Sequence, residues 1–125
     1  MKIVLTCVLA SFLFAPYSAQ GHHGWAEFDL KGEITLQGTV TDFHFVNPHC
    51  VVEFEVQSEN SQVRNWQGEF SNPTNLASLG WSAASLKAED KITITGHPAR
   101  NGGPAIYVTR IRLADGHELK IQKGK

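Results

Sequence analysis

Cysteine is scarce in this 125-residue chain, with Cys7 and Cys50 the two it has. Cys7 falls inside an amino-terminal apolar run, so removal of that run leaves Cys50 alone and excludes an intramolecular disulfide. Basic charge is not in surplus either: 11 Lys and Arg stand against 12 Asp and Glu, a net charge of -1. Such a chain has no reserve of cations to hold a row of phosphates, and nucleic acid is not expected as a ligand. No apolar stretch reaches the roughly 20 residues that a spanning helix needs. HExxH, paired CxxC and Gly-x-Ser-x-Gly are all missing, and no glycine-rich loop leads into a helix with a phosphate-binding lysine. The chain is therefore expected to be no enzyme. Oxidative chemistry at a histidine-bound copper would further need an open coordination position and a substrate surface, which sequence does not display.

The chain starts with an export pattern. Lys2 supplies a short positive end, residues 3–15 are almost entirely apolar, and residues 16–21 are small and turn-prone. Signal peptidase favours small residues three and one positions before the cut. A cut after Gly21 places Ala19 and Gly21 there and makes His22 the new amino terminus; a cut after Ala19 would put the bulky Tyr17 in the first position. Thr6 stands before Cys7 where a lipoprotein signal has a small residue, so no lipid anchor is expected. The mature protein is expected to be soluble, periplasmic or secreted, with no membrane insertion after cleavage. Loss of Lys2 leaves 10 basic against 12 acidic residues and a net charge of -2.

About a hundred residues then remain, enough for one core. The stretch "EITLQGTVTDFHF" alternates Ile34, Leu36, Gly38 and Val40 with Thr35, Gln37, Thr39 and Thr41, the pattern of a half-buried strand. "NPH" breaks it, because Pro48 cannot donate to a central ladder. "CVVEFEVQ" resumes the period with Val52, Phe54 and Val56 inward and Glu53 and Glu55 outward, and after the polar "SENSQ" a third strand follows in "VRNWQGEF". Asn72 then caps a helix that has Pro73 at its first position and stops at Gly80. A short turn capped by Ser82 carries Leu86 to the core. "KITITG" and "AIYVTRIRL" read as strands four and five, joined by the loop "HPARNGGP", and "HELKI" after the tight turn "ADG" as a sixth.

Three strands, a helix and two or three more strands is the order of an OB-type Greek-key barrel, an all-β fold with its helix between strands three and four. Gly38 and Gly96 fit the corners where barrel strands coil sharply. A small open sandwich is the alternative. The expected layout is a signal peptide at 1–21, a His-His lead segment at 22–32, one barrel domain at 33–121 and a frayed tail at 122–125.

The ordered series "HHGWAEFD", "LQGTV", "NPH", "NWQGEF", "SNPTNLASLGW", "LKAEDKITITGHPARNG" and "LADG" resembles a family of small exported bacterial proteins, domain of unknown function 6152. The resemblance covers essentially the whole mature chain. It implies a small exported β-barrel whose recurring polar positions correspond to His22, His23, Asn47, His49 and Glu69, and it implies no activity, substrate or cofactor. Cys50 departs from the pattern, which has an apolar residue there.

An amino-terminal histidine offers its amine, its imidazole and the next amide. One more imidazole completes a nitrogen set suited to copper, which tops the affinity order of divalent first-row metals. Cuts after Ala19 or Gln20 would put a histidine third, where amine, two amides and imidazole make a copper or nickel square plane. His22 and His23 are therefore candidate copper ligands; the plain alternative is a polar leader. His49, fixed behind the Asn-Pro turn, is the third candidate, with Asn47 and Glu69 as supporting groups; the alternatives are a His49 that caps a carbonyl and a strand-end Glu69 that faces water. Cys50 is read as a small hydrophobe before it is read as a copper(I) ligand. His44 reads as a surface or groove residue, and His97 and His117 as solvated. A second class of function comes from aromatics. Trp25, Phe45 and Trp66, with Phe43 and Tyr107, are candidates for a binding face on the barrel, and Arg100 in the glycine-rich loop for recognition of a carboxylate or phosphate. The partner would then be a small ligand or a periplasmic protein. Trp81, after the helix stop, is expected in the core.

Overall fold

The alternating runs fold as strands whose inward side chains meet in one core, containing Val40, Val52, Phe54, Ile92, Ile94, Ile106, Val108 and Ile111. The computed structural model describes residues 27–124. Its elements are β1 Ile34–His44, β2 Val51–Gln57, β3 Val63–Glu69, α1 Pro73–Ala77, β4 Lys91–Pro98, β5 Ala105–Leu113 and β6 Glu118–Leu119. The sheet order is β3-β2-β1-β4-β5-β6, and an additional β3–β5 pairing closes the first five strands into a barrel. That closing seam is parallel, with Gln67 opposite Ala105, Gly68 opposite Ile106 and Glu69 opposite Tyr107. The remaining strand pairs are antiparallel. The fold is the expected OB-like barrel with its helix between β3 and β4, and β6 extends the edge of β5.

Two irregularities give the barrel its shape. Between Val40 and Asp42 the β1–β2 register slips by one residue, so Val40 faces Phe54 and Asp42 faces Glu53 while Thr41 bulges out. The inward phase therefore moves from even to odd positions, and Phe43, opposite Val52, continues the core. At the other corner Gly96 lies so close to β5 that a Cβ there would sit 2.3 Å from the Tyr107 carbonyl oxygen.

Below the barrel, α1 is short but firmly ended. The Asn72 side chain accepts from the Asn75 N–H at 2.9 Å, and Pro73 occupies the first helical position. At the far end Trp81 N–H donates to Leu76 O at 3.1 Å and Gly80 N–H to Ala77 O at 3.0 Å, with Gly80 at φ +96. This is the paired bonding by which a left-handed glycine stops a helix. Leu76, Leu86 and Trp81 are buried, the last two as expected. Trp81 packs against Phe70 in a tilted arrangement with ring centroids 5.2 Å apart, and its indole N–H donates to Lys120 O at 2.6 Å. With α1 only five residues long, its cap carries much of its local stability. Asn72→Ala is expected to cost about 1 kcal/mol, which a urea titration reads as a lower midpoint at unchanged slope.

The segment before β1 lies against the barrel. Phe28 forms a bridge with Ala99 and is buried. Asp29 N–H donates to Pro98 O and Arg100 N–H to Glu27 O, both at 2.8 Å. His97, expected in solvent, is half-buried instead, because its Nδ1 meets Gly32 O at 2.7 Å and fastens this segment to β4.

Candidate metal centre

His49 enters the barrel rim from the turn that Asn47 and Pro48 make between β1 and β2. Cys50 locks the turn in place: its N–H donates to Ser71 O at 3.0 Å, and its carbonyl accepts from Phe70 N–H at 2.9 Å. The His49 ring, 43% exposed, places Nδ1 3.0 Å from Oε1 of Glu69, whose side chain is only 11% exposed. A carboxylate accepts, so Nδ1 carries a hydrogen, and Nε2 is the nitrogen on which a metal would be taken. A buried carboxylate that fixes tautomer and ring orientation is the support metal-binding histidines ordinarily have. Glu69 does not face water as a strand-end glutamate ordinarily does. It is adjacent in register to Tyr107, whose ring packs against Phe28 with centroids 5.8 Å apart, so the lead segment covers this part of the seam. Burial first, and the Glu69 charge second, push the Tyr107 hydroxyl above its ordinary pKa.

The other sequence candidates are distributed as follows. Asn47 is exposed in the turn and makes no hydrogen bond to His49. His22, His23 and Trp25 lie outside the described residues. Cys50 is fully buried, and burial raises its pKa despite a backbone bond near Val46 that lowers it, so it is a neutral part of the core. Arg100 donates from Nε to Phe28 O at 3.0 Å, which ties its guanidinium to the lead segment. Phe45 packs on Phe43 with centroids 6.0 Å apart and belongs with the aromatic cluster of Phe43, Phe70 and Trp81. Among the described residues, Trp66 is the aromatic candidate that lines a groove of about 570 Å³ between β2, β3 and the β4–β5 loop. The guanidinium of Arg64 lies 5.4 Å from its ring centroid. Glu27, Glu53 and Glu55 line the same groove.

A further cluster involves residues that strand periodicity alone does not bring together. Asp42, His44 and Glu53 offer ligand atoms that all lie within 4.8 Å of one another. His44 Nε2 is 3.5 Å from Asp42 Oδ2 and 3.3 Å from Glu53 Oε1. The bulge at Thr41 makes the cluster: without it Asp42 and His44 would share the inward phase of Leu36 and Val40. The signal is visible afterwards in "GTVTDFHF", where the apolar parity changes between Val40 and Phe43.

Residues 10–106 match the model of a family of unknown function, DUF6152. The chain belongs to this family. No curated protein matches it. The match ends two residues into β5, and His49, Glu69 and the Asp42, His44 and Glu53 cluster all fall within the DUF6152 region. Among the described residues of this DUF6152 protein no helix is long and apolar enough to cross a membrane.

Proposed function

We propose that this chain is an exported, non-enzymatic copper-binding protein that uses the mature amino-terminal His22, its neighbour His23, and His49. The observation that carries the reading is the half-exposed His49 ring held through Nδ1 by buried Glu69, which leaves Nε2 as the donor. Glu27 and Phe28 support it from the other side. They are bonded to the β4–β5 loop, and Phe28 packs on Tyr107 beside Glu69. Three residues lie between His23 and Glu27, four peptide steps with an extended reach of at most about 14 Å. Phe28, at the start of the described residues, lies on the side of the barrel that carries Glu69. A free amine, its own imidazole and a further imidazole form a nitrogen-rich set that favours copper over the other divalent first-row ions.

Mass spectrometry of the protein exported from its native host, under conditions that keep metal bound, tests this directly. A mature chain that starts at His22 and carries one copper is the expected result; a blocked amine with no metal removes the reading.

The groove supports a second reading, a ligand-binding barrel in which the histidines are incidental, because Trp66 lines it together with amide and carboxylate side chains. The two are separated by Trp66→Ala, which leaves copper binding unchanged under the first and abolishes ligand capture under the second.

A further inference from the structure

The outer face of β1 and β2 carries an arrangement distinct from the His49 rim. Asp42 and Glu53 are directly opposite each other across an antiparallel pair, where two like charges destabilise the sheet unless something positive lies between them. No lysine or arginine among the described residues pairs with either, and the ion-pair partner of both is His44. Lys91 Nζ, opposite Thr39 on the neighbouring strand, donates to Thr39 Oγ1 at 2.7 Å. Asp42 is held from behind, its Oδ1 accepting the Phe43 N–H at 2.8 Å. That bond leaves Oδ2 for His44. The imidazole therefore sits at the focus of two carboxylates, with its nitrogen 3.5 and 3.3 Å from them. Those separations match the edge of a tetrahedron built from metal bonds of 2.0–2.1 Å, about 3.3–3.4 Å.

We infer that Asp42, His44 and Glu53 form a second cation site, selective for a four-coordinate divalent ion of the zinc type. One imidazole and two carboxylates make a borderline donor set, harder than the nitrogen set proposed for copper, and a divalent charge neutralises the facing pair. Three protein ligands leave the fourth position for water or an outside donor. Both strands hold the donors in register, so binding needs rotation of exposed side chains and no change of backbone. The inference is independent of the copper reading, since the two donor sets share no residue.

The test uses the exported protein in which His49 is replaced by alanine, titrated with zinc chloride in a calorimeter, with the imidazole proton signals followed by NMR. One zinc per chain is expected, with the His44 ring signals shifting on binding. His44→Ala and Glu53→Gln, each added to that background, should weaken binding by roughly tenfold or more, since even loss of a group that only supports a ligand costs that much. Both positions are on the outer face of the sheet, so neither change removes a core contact. Zinc affinity unaltered by both substitutions would overturn the site. The absence of any zinc binding to either protein would overturn it as well. If zinc binds the wild type but the His49→Ala protein does not bind it, the metal belongs to the rim and this inference fails while the copper reading stands.

Discussion

Replacing His49 by alanine is expected to lower the copper(II) affinity of the exported protein by orders of magnitude, because it removes a ligand outright. The change also leaves Glu69, 11% exposed in its side chain, without the partner that sits 3.0 Å away. Loss of one hydrogen bond to a charged group costs about 1.5–3 kcal/mol, so the unfolding midpoint should fall as well, though not far enough to unfold a domain of ordinary stability of about 5–15 kcal/mol. Glu69→Leu separates the two roles. It removes the charge from its covered position and frees the ring, and copper binding should weaken by roughly 10–100-fold. Glu69→Gln retains a carbonyl oxygen that can accept from Nδ1 and should recover most of that loss. Calorimetric titration against a competing chelator measures all three. If His49→Ala binds copper as the wild type does, His49 is no ligand; if Glu69→Leu and Glu69→Gln behave alike, the carboxylate does not orient the ring.

The pairing of His49 with Glu69 was only partly legible in the sequence. Strand order places β3 beside β2, and the register sets Val51 opposite Glu69, so neighbourhood follows from the order of the runs. Burial of Glu69 does not. In β3 its parity is that of Val63, Asn65 and Gln67, all exposed, and periodicity therefore assigns it to water. What covers its end of the strand is the parallel seam with Tyr107 and the aromatic contact of Phe28, and residues 27–33 have no period that would announce such a docking. The grouping of His44, itself read as a surface or groove residue, with Asp42 and Glu53 escaped for a related reason. A period-two reading carried past Val40 keeps one parity, whereas the backbone inserts Thr41 and changes it. Sequence patterns report the burial of side chains in a regular strand; a bulge is seen only as a conflict between two parities, and which residue bulges depends on the partner strand.

The barrel corners, by contrast, were legible as glycines inside strand runs, and the strongest test of the fold lies there. Gly96→Ala is expected to destabilise the domain by about 3 kcal/mol or more, at or beyond the upper end of ordinary overpacking. The added Cβ would meet Tyr107 O at 2.3 Å, Tyr107 C at 2.9 Å and Val108 Cα at 3.1 Å. These are backbone atoms of the paired strand, so no side chain can rotate out of the way. The register shifts at this same point, between Thr95 and Gly96, and the coiling that the shift produces brings β5 round to meet β3. Relief of the clash would move Tyr107 out of the seam, and with it the neighbour of Glu69. A domain of this size loses roughly 4–8 °C of melting temperature per kcal/mol, so a fall of more than about 10 °C should be seen by thermal circular dichroism. Gly80→Ala is the matched control: Gly80 has φ +96 but nothing within 4 Å of its added Cβ, so only backbone strain acts there. The smaller fall expected at Gly80 distinguishes a steric closure of the barrel from the general cost of replacing glycine. Equal falls, or a Gly96→Ala protein that melts with the wild type, would mean that β4 and β5 do not approach as closely as the closed barrel requires.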